Sequence, residues 1–182
     1  MNKLYLLDAY ALIYRAYYAL IRTPRINSKG FNTSAIYGFV NTLEEIKRLS
    51  PTHMAVAFDP KGGKTFRNEL YPLYKAQREA MPEDIRKSVP VIKDIIKAMN
   101  IPILEAENFE ADDIIGTASK KFASPENEVY MITGDKDLLS MGEIGCCQII
   151  TVMEFDALIS SSGYSSFVHE NFEDYYHLVV GE

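Results

Sequence analysis

Short apolar runs alternate with longer stretches of helical spacing along most of this chain. The apolar runs are only four or five residues long, which is typical of buried strands. We expect strands at Lys3–Leu7, Met54–Phe58, Ile101–Leu104 and Val129–Thr133, with Gln148–Val152 as a candidate fifth strand. We expect helices at Tyr10–Leu20, Ser34–Leu49, Pro82–Asn100 and Glu110–Phe122. This alternation predicts an α/β fold, a mostly parallel central sheet with helices on both faces.

Three of the apolar runs are followed closely by an aspartate: Asp8, Asp59 and Asp135. Ligands of open parallel sheets bind at the carboxyl ends of the strands. We therefore expect the three side chains to converge at one edge of the sheet. A single aspartate at such a position commonly does no more than cap the next helix, but three together favour a binding site.

Further carboxylates lie close to these strand ends. Glu110 and Asp113 are three residues apart and share a helix face, and Asp135 and Asp137 flank a lysine in a turn. The candidate metal ligands are Asp8, Asp59, Glu110, Asp112, Asp113, Asp135 and Asp137. Because carboxylates repel one another without a cation between them, and because oxygen ligands suit hard ions, this set predicts two Mg²⁺ or Mn²⁺ ions. Such a pair of ions is suited to phosphodiester hydrolysis.

The net charge of −6 alone argues against a nucleic-acid partner. Its distribution changes that conclusion, because residues 1–100 carry sixteen basic and nine acidic groups, whereas residues 101–182 carry three basic and sixteen acidic groups. A solvated acidic face is one interpretation. The other is a set of metal-binding carboxylates beside a basic segment that contacts phosphate.

The basic segment contains Arg67, Tyr74, Lys75 and Arg78. If this segment is helical, Lys75 and Arg78 point the same way and reach one phosphate. A solvated basic helix face is the simpler interpretation of the same residues. On the first helix, Tyr14 is placed to stack on a nucleobase.

Taken in order, these motifs resemble a known family. They are Leu-Leu-Asp8-Ala-Tyr-Ala-Leu-Ile-Tyr14-Arg15, Ala-Phe-Asp59, Thr-Phe-Arg67, Tyr74-Lys75-Ala-Gln-Arg78, Glu110-Ala-Asp112-Asp113 and Thr-Gly-Asp135-Lys-Asp137. The resemblance is to the flap-endonuclease superfamily, with its PIN-like or resolvase-like fold, and within it to the 5′-3′ exonuclease domain of bacterial DNA polymerase I. The stretch at residues 24–39 looks most like the Bacteroides-type members.

The resemblance implies a role for each matching residue. Asp8, Asp59, Glu110 and Asp112 would hold the first metal ion, Asp135 and Asp137 the second, with Asp113 as an additional or outer carboxylate. Lys75 and Arg78 would grip the scissile phosphate from a mobile helical gateway, assisted by Arg15. Tyr14 would stack on the terminal base pair, and Arg67 and Tyr74 would contact DNA.

The resemblance covers residues 1–139, which we interpret as the metal-binding α/β domain, and residues 140–182 as a poorly matching continuation of it. The family continues to an Asp-x-x-Asp pair and a helical DNA-binding element, and neither is found before Glu182. We therefore expect an incomplete second metal site. The implied partners are DNA with 5′ ends or flaps and, in a full-length protein, a polymerase domain that follows.

Other interpretations stay open. They are a PIN-type ribonuclease, a receiver-like or scaffold domain that binds one Mg²⁺, and an inactive nuclease fragment that binds DNA or Mg²⁺ weakly. The Tyr74–Arg78 motif favours the flap-type branch, and seven carboxylates exceed the needs of one ion. No apolar run approaches the ~20 residues that span a bilayer. With only two cysteines, adjacent in sequence, the chain is expected in the cytoplasm and away from membranes.

Overall fold

The computed structural model describes residues 1–134 and 146–151. Five strands form one sheet in the order β3-β2-β1-β4-β5, and every neighbouring pair is parallel. The strands are β1 (Asn2–Asp8), β2 (His53–Ala57), β3 (Ile103–Leu104), β4 (Asn127–Thr133) and β5 (Cys147–Thr151). The helices are α1 (Ala9–Ala19), α2 (Ser34–Arg48), α3 (Phe66–Leu70), α4 (Glu83–Ala98) and α5 (Ala111–Phe122). The predicted parallel α/β fold is confirmed.

Strand β1 lies at the centre of the sheet and is apolar on both faces. Tyr5 and Leu7 pack into the larger core cluster, beneath α1, α2 and α4. Leu6 packs into the smaller cluster on the opposite face, against α5. Because successive side chains of a strand point to opposite faces, only a continuous apolar run lets one strand serve both cores. The prediction of helices on both faces is thereby confirmed.

Strand β3 is shorter than the predicted Ile101–Leu104. The backbone N–H of Ile101 donates to the carbonyl of Ile96 and so completes the end of α4. Pro102 has no N–H to donate, although its carbonyl accepts from Val56. Two residues therefore remain for strand pairing. Helix α4 continues through Pro90.

Two predictions fall on residues that the structure does not describe. Asp135 and Asp137 lie outside the described residues, as does almost all of the segment 140–182. The division of the chain at residue 139 therefore stays a prediction. In the described ranges, 1–134 and 146–151, no helix is both long enough and apolar enough to cross a membrane.

Candidate active site at the carboxyl edge of the sheet

Asp8 ends the central strand and caps the helix that follows it. Its Oδ1 accepts a hydrogen bond from the Ala11 N–H at 3.1 Å, and its Oδ2 accepts one from the Thr133 hydroxyl, at the end of β4, at 3.3 Å. Burial raises the pKa of Asp8 above its ordinary value, and the charge of Asp59 adds to the rise, while these hydrogen bonds oppose it. The negative charge of Asp8 is thus poorly compensated, which suits a nearby cation.

Asp59 lies two residues beyond the end of β2 and reaches the first turn of α5. Its Oδ1 accepts a hydrogen bond from the Ala111 N–H at 2.8 Å. Both Asp8 and Asp59 therefore make the helix-end contacts that a single strand-end aspartate commonly makes. They nevertheless line one cleft together, as expected from adjacent parallel strands, and Asp112 lines the same cleft.

The other two carboxylates at the start of α5 contact cations from the basic segment. Glu110 is buried, with 7% of its surface exposed. It accepts from Lys75 Nζ at 2.7 Å and from the Tyr74 hydroxyl at 3.3 Å. Asp113 receives two hydrogen bonds of 2.7 Å from the guanidinium of Arg67. This hydrogen bonding to Arg67 lowers the pKa of Asp113.

The cations Lys75 and Arg78 lie on successive turns and not on a helix. Helix α3 ends at Leu70 because Tyr71 precedes a proline and is extended, with φ −141° and ψ 97°. Lys75 then adopts a left-handed conformation with φ +56°. The idea that Lys75 and Arg78 share a helix face is therefore wrong. Both side chains still line the cleft that contains Asp8, Asp59 and Asp112, whose volume is about 570 Å³.

On α1, the structure separates two residues that the sequence grouped. Tyr14 lines the cleft. The guanidinium of Arg15 instead lies against α2, where it donates to the Thr42 hydroxyl at 3.3 Å. Arg67 likewise contacts Asp113 directly and lies over the ring of Phe66. The predicted roles of Arg15 and Arg67 toward DNA stay predictions.

Sequence reasoning missed two residues of this edge. Thr133, the last residue of β4, donates to Asp8, and its place at a strand end was the available signal. Tyr18 lines the cleft one helical turn beyond Tyr14. Its spacing of four residues from Tyr14 was the available signal, because residues four apart on a helix share a face.

Within residues 1–134 and 146–151, no three histidine, cysteine, aspartate or glutamate side chains lie close enough to hold a metal ion. Two of the candidate carboxylates, Glu110 and Asp113, instead contact Lys75 and Arg67 at 2.7 Å. The remaining donors, Asp8, Asp59 and Asp112, are all carboxylates, and the mutual repulsion of Asp8 and Asp59 suits a hard divalent cation. The donor set therefore fits Mg²⁺ or Mn²⁺ in its chemistry.

Comparison with protein families identifies the family of this chain. The family model described as "5′-3′ exonuclease, N-terminal resolvase-like domain" matches residues 3–173. The chain belongs to this family. The chain is 40% identical to DNA polymerase I of Treponema pallidum over 156 residues, or 85% of this chain and 15% of that protein. It is 42% identical to the 5′-3′ exonuclease of Aquifex aeolicus over 142 residues, or 78% of this chain and 48% of that protein.

The chain thus spans less than half the length of these curated relatives. Among solved structures, it matches a T5 protein co-crystallized with metal ions, with a TM-score of 0.62, 18% identity and coverage of 84% of this chain and 56% of that one. It also matches the catalytic core of Rad2 in complex with a DNA substrate, with a TM-score of 0.53 and 17% identity. This match covers 84% of this chain and 42% of that one. At these identities the structures establish the fold alone. The predicted family resemblance is confirmed by the family model and by the relatives in sequence.

Proposed function

We propose that this domain hydrolyses phosphodiester bonds of DNA at 5′ ends or flaps, with Mg²⁺ held by its carboxylates. One observation carries the proposal: Asp8, Asp59 and Asp112 line the same cleft as Lys75 and Arg78. Anions that hold metal ions and cations that hold phosphate are the two groups that this reaction needs. The T5 protein co-crystallized with metal ions and the Rad2 catalytic core in complex with a DNA substrate, which share this fold, support the same assignment.

Each candidate residue has a distinct part in the proposal. Asp8, Asp59, Glu110 and Asp112 would hold one ion, with Asp113 nearby, and Asp135 and Asp137 would hold the second. When bound, the ions would supply an activated water and would stabilise the leaving oxygen. Lys75 and Arg78 would bind the scissile phosphate, with Arg15 assisting. Tyr14, Arg67 and Tyr74 would contact the DNA around it.

The hydrogen bonds of Asp8 support a positioning role for its carboxylate. The Ala11 N–H and the Thr133 hydroxyl each hold one of its oxygens, and the two donors come from different elements. The carboxylate is therefore oriented before any ligand arrives, so little reorganisation is needed on binding. The proposal also includes a following polymerase domain in the full-length protein, as the relatives named DNA polymerase I suggest, and a location in the cytoplasm.

A cleavage assay on the purified chain tests the proposal. The substrates are a 5′-flap DNA and a single-stranded RNA, each with Mg²⁺ and with a chelator. We expect Mg²⁺-dependent cleavage of the DNA and a loss of several orders of magnitude in Asp8→Ala, while DNA binding is retained. Lys75→Ala should lower turnover by about 10²–10³-fold, by analogy with the loss of one oxyanion donor.

The matched control is Glu126→Ala, since Glu126 is an exposed carboxylate beside the start of β4, at the opposite edge of the sheet. It should cut DNA at the wild-type rate. Cleavage of RNA but not DNA would favour the ribonuclease alternative. Wild-type activity in Asp8→Ala would reject the assignment of this cleft as the active site.

A further inference from the structure

Three tyrosines on one side of α1 are arranged as a contiguous aromatic surface. The rings of Tyr14 and Tyr18 are stacked, with centroids 6.2 Å apart and planes inclined by 26°. Tyr17 meets Tyr18 edge-on at 5.3 Å, with the planes at 76°. Such edge and offset contacts hold aromatic rings in a defined orientation. The Tyr18 ring is therefore supported from two sides while remaining 51% exposed.

The position of Tyr18 distinguishes it from an ordinary exposed aromatic residue. A single apolar side chain at a protein surface needs no explanation. Tyr18, however, lines the same cleft as Asp8, Lys75 and Arg78. A nucleic-acid strand whose phosphate lies beside Lys75 and Arg78 would have its bases within reach of the α1 side of that cleft. Sequence-tolerant binding of single strands combines these two elements, a cationic path for the backbone and aromatic faces for the bases.

We propose that Tyr18 extends the stacking surface of Tyr14, so that the two rings bind two consecutive unpaired bases at the 5′ end of the DNA strand. This inference rests on the proposed function for the identity of the substrate and adds which part of the substrate is recognised. Residues four apart on a helix are separated by about 6 Å along its axis. Tyr18 thus lies one full turn beyond Tyr14 along α1, farther from Asp8 at the start of that helix. Every base has a π-face, so the surface selects unpaired structure and not sequence.

The test is a double-mutant cycle between Tyr18 and a base of the DNA. Fluorescence anisotropy measures affinity for a duplex with a two-nucleotide 5′ overhang, in Ca²⁺ without Mg²⁺. The protein variants are Tyr18→Ala and Tyr18→Phe, and each overhang nucleotide in turn is made abasic. The matched protein control is Phe122→Ala, since Phe122 is 49% exposed and ends α5. Circular dichroism and thermal melting check that each variant is folded.

We expect Tyr18→Ala to weaken binding by about 5- to 150-fold, the range for loss of one stacked base, and Tyr18→Phe to bind like the wild type. One abasic substitution should weaken wild-type binding by a similar factor and should add little in Tyr18→Ala, because the partner is already lost. Phe122→Ala should not change the affinity. The effect of an abasic nucleotide on wild-type binding does not depend on the stability of any protein variant, since that change is made in the DNA.

Two results would overturn the inference: unchanged affinity in Tyr18→Ala, or the same abasic penalty in Tyr18→Ala as in the wild type at both positions. The wild-type chain is assayed for Mg²⁺-dependent cleavage of the same overhang DNA. If the wild type cuts this DNA but the effects of Tyr18→Ala and of the abasic nucleotides simply add, the stacking role of Tyr18 is rejected and the proposed function stands. A wild-type chain that neither binds nor cuts the DNA rejects both.

Discussion

The ion pair between Lys75 and Glu110 gives the most specific prediction about how the basic segment is held. Its atoms are 2.7 Å apart, and the Glu110 and Lys75 side chains are 9% and 29% exposed. We expect Lys75→Met to destabilise the metal-free domain, because the substitution leaves a buried carboxylate without its nearest cation. The same substitution should strengthen binding of a divalent ion, if Glu110 is a ligand for which Lys75 competes.

The surroundings of the Lys75–Glu110 pair set limits on how much stability Lys75→Met should lose. Exposed ion pairs contribute about 0–1 kcal/mol, and removal of one partner from a fully buried pair costs about 3–5 kcal/mol. The Lys75–Glu110 pair lies between these limits, because Arg67 Nη1 remains 3.9 Å from Glu110 and the Tyr74 hydroxyl still donates to it. We expect a loss of about 1–2 kcal/mol in the free energy of unfolding, or very roughly 2–8 °C in melting temperature for a domain of this size.

The assay is urea denaturation of the wild type, Lys75→Met, Glu110→Gln and the double variant, all in chelator. The double variant has neither charge. Its loss in free energy of unfolding should therefore be smaller than the sum of the two single losses by about 1–2 kcal/mol. Calorimetry with Mn²⁺ should show tighter binding to Lys75→Met by about 5- to 30-fold, the same energy expressed as affinity.

A surface pair serves as the control for this cycle. Lys87 and Glu83 are 3.1 Å apart on α4, with side chains that are 57% and 64% exposed. Lys87→Met should leave the free energy of unfolding nearly unchanged, because solvent screens an exposed ion pair. A coupling between Lys75 and Glu110 below about 0.3 kcal/mol, together with unchanged Mn²⁺ affinity, would refute the reasoning.

Three further predictions concern packing and ionisation. In Gly38→Ala, the new Cβ would lie 2.6 Å from the Cβ of Ala16, so we expect α1 and α2 to separate at a cost of about 1–3 kcal/mol, partly offset by helix propensity. The double variant Gly38→Ala/Ala16→Gly should recover stability in urea denaturation, and a single variant as stable as the wild type would contradict the contact. Leu7→Ala empties a fully buried site in the central strand, and should cost about 2–5 kcal/mol in the same measurement. Burial, followed by a hydrogen bond to Glu128, raises the pKa of Tyr130 from 10.0 to about 12. The stability that neutral Tyr130 contributes should therefore be complete below pH 10 and lost as the pH rises through about 12, and the ultraviolet titration of the wild type minus Tyr130→Phe should show that midpoint.

The secondary structure and the chemistry of the site could be predicted from sequence because both depend on local pattern. Continuous apolar runs at β1, β2 and β4 indicate burial on two faces, and helical spacing indicates burial on one. Asp8 and Asp59 follow such runs, so the parallel arrangement alone predicts that they lie at one edge, where the structure also places them. The ends of elements were less predictable, as in β3, where Ile101 completes a helix in place of a strand.

Only the tertiary structure decided the strand order, with β1 between β2 and β4. It also decided which charged side chains form ion pairs with each other. Lys75 meets Glu110 from 35 residues away, and Arg67 meets Asp113 from 46 residues away. Spacing along the chain reports which side chains share a face, but it carries no information about which face lies opposite. Pairing across such distances depends on how the cores pack. The exposure of Tyr18 in the cleft could not be predicted from spacing along the chain either, since it depends on which elements lie beside α1.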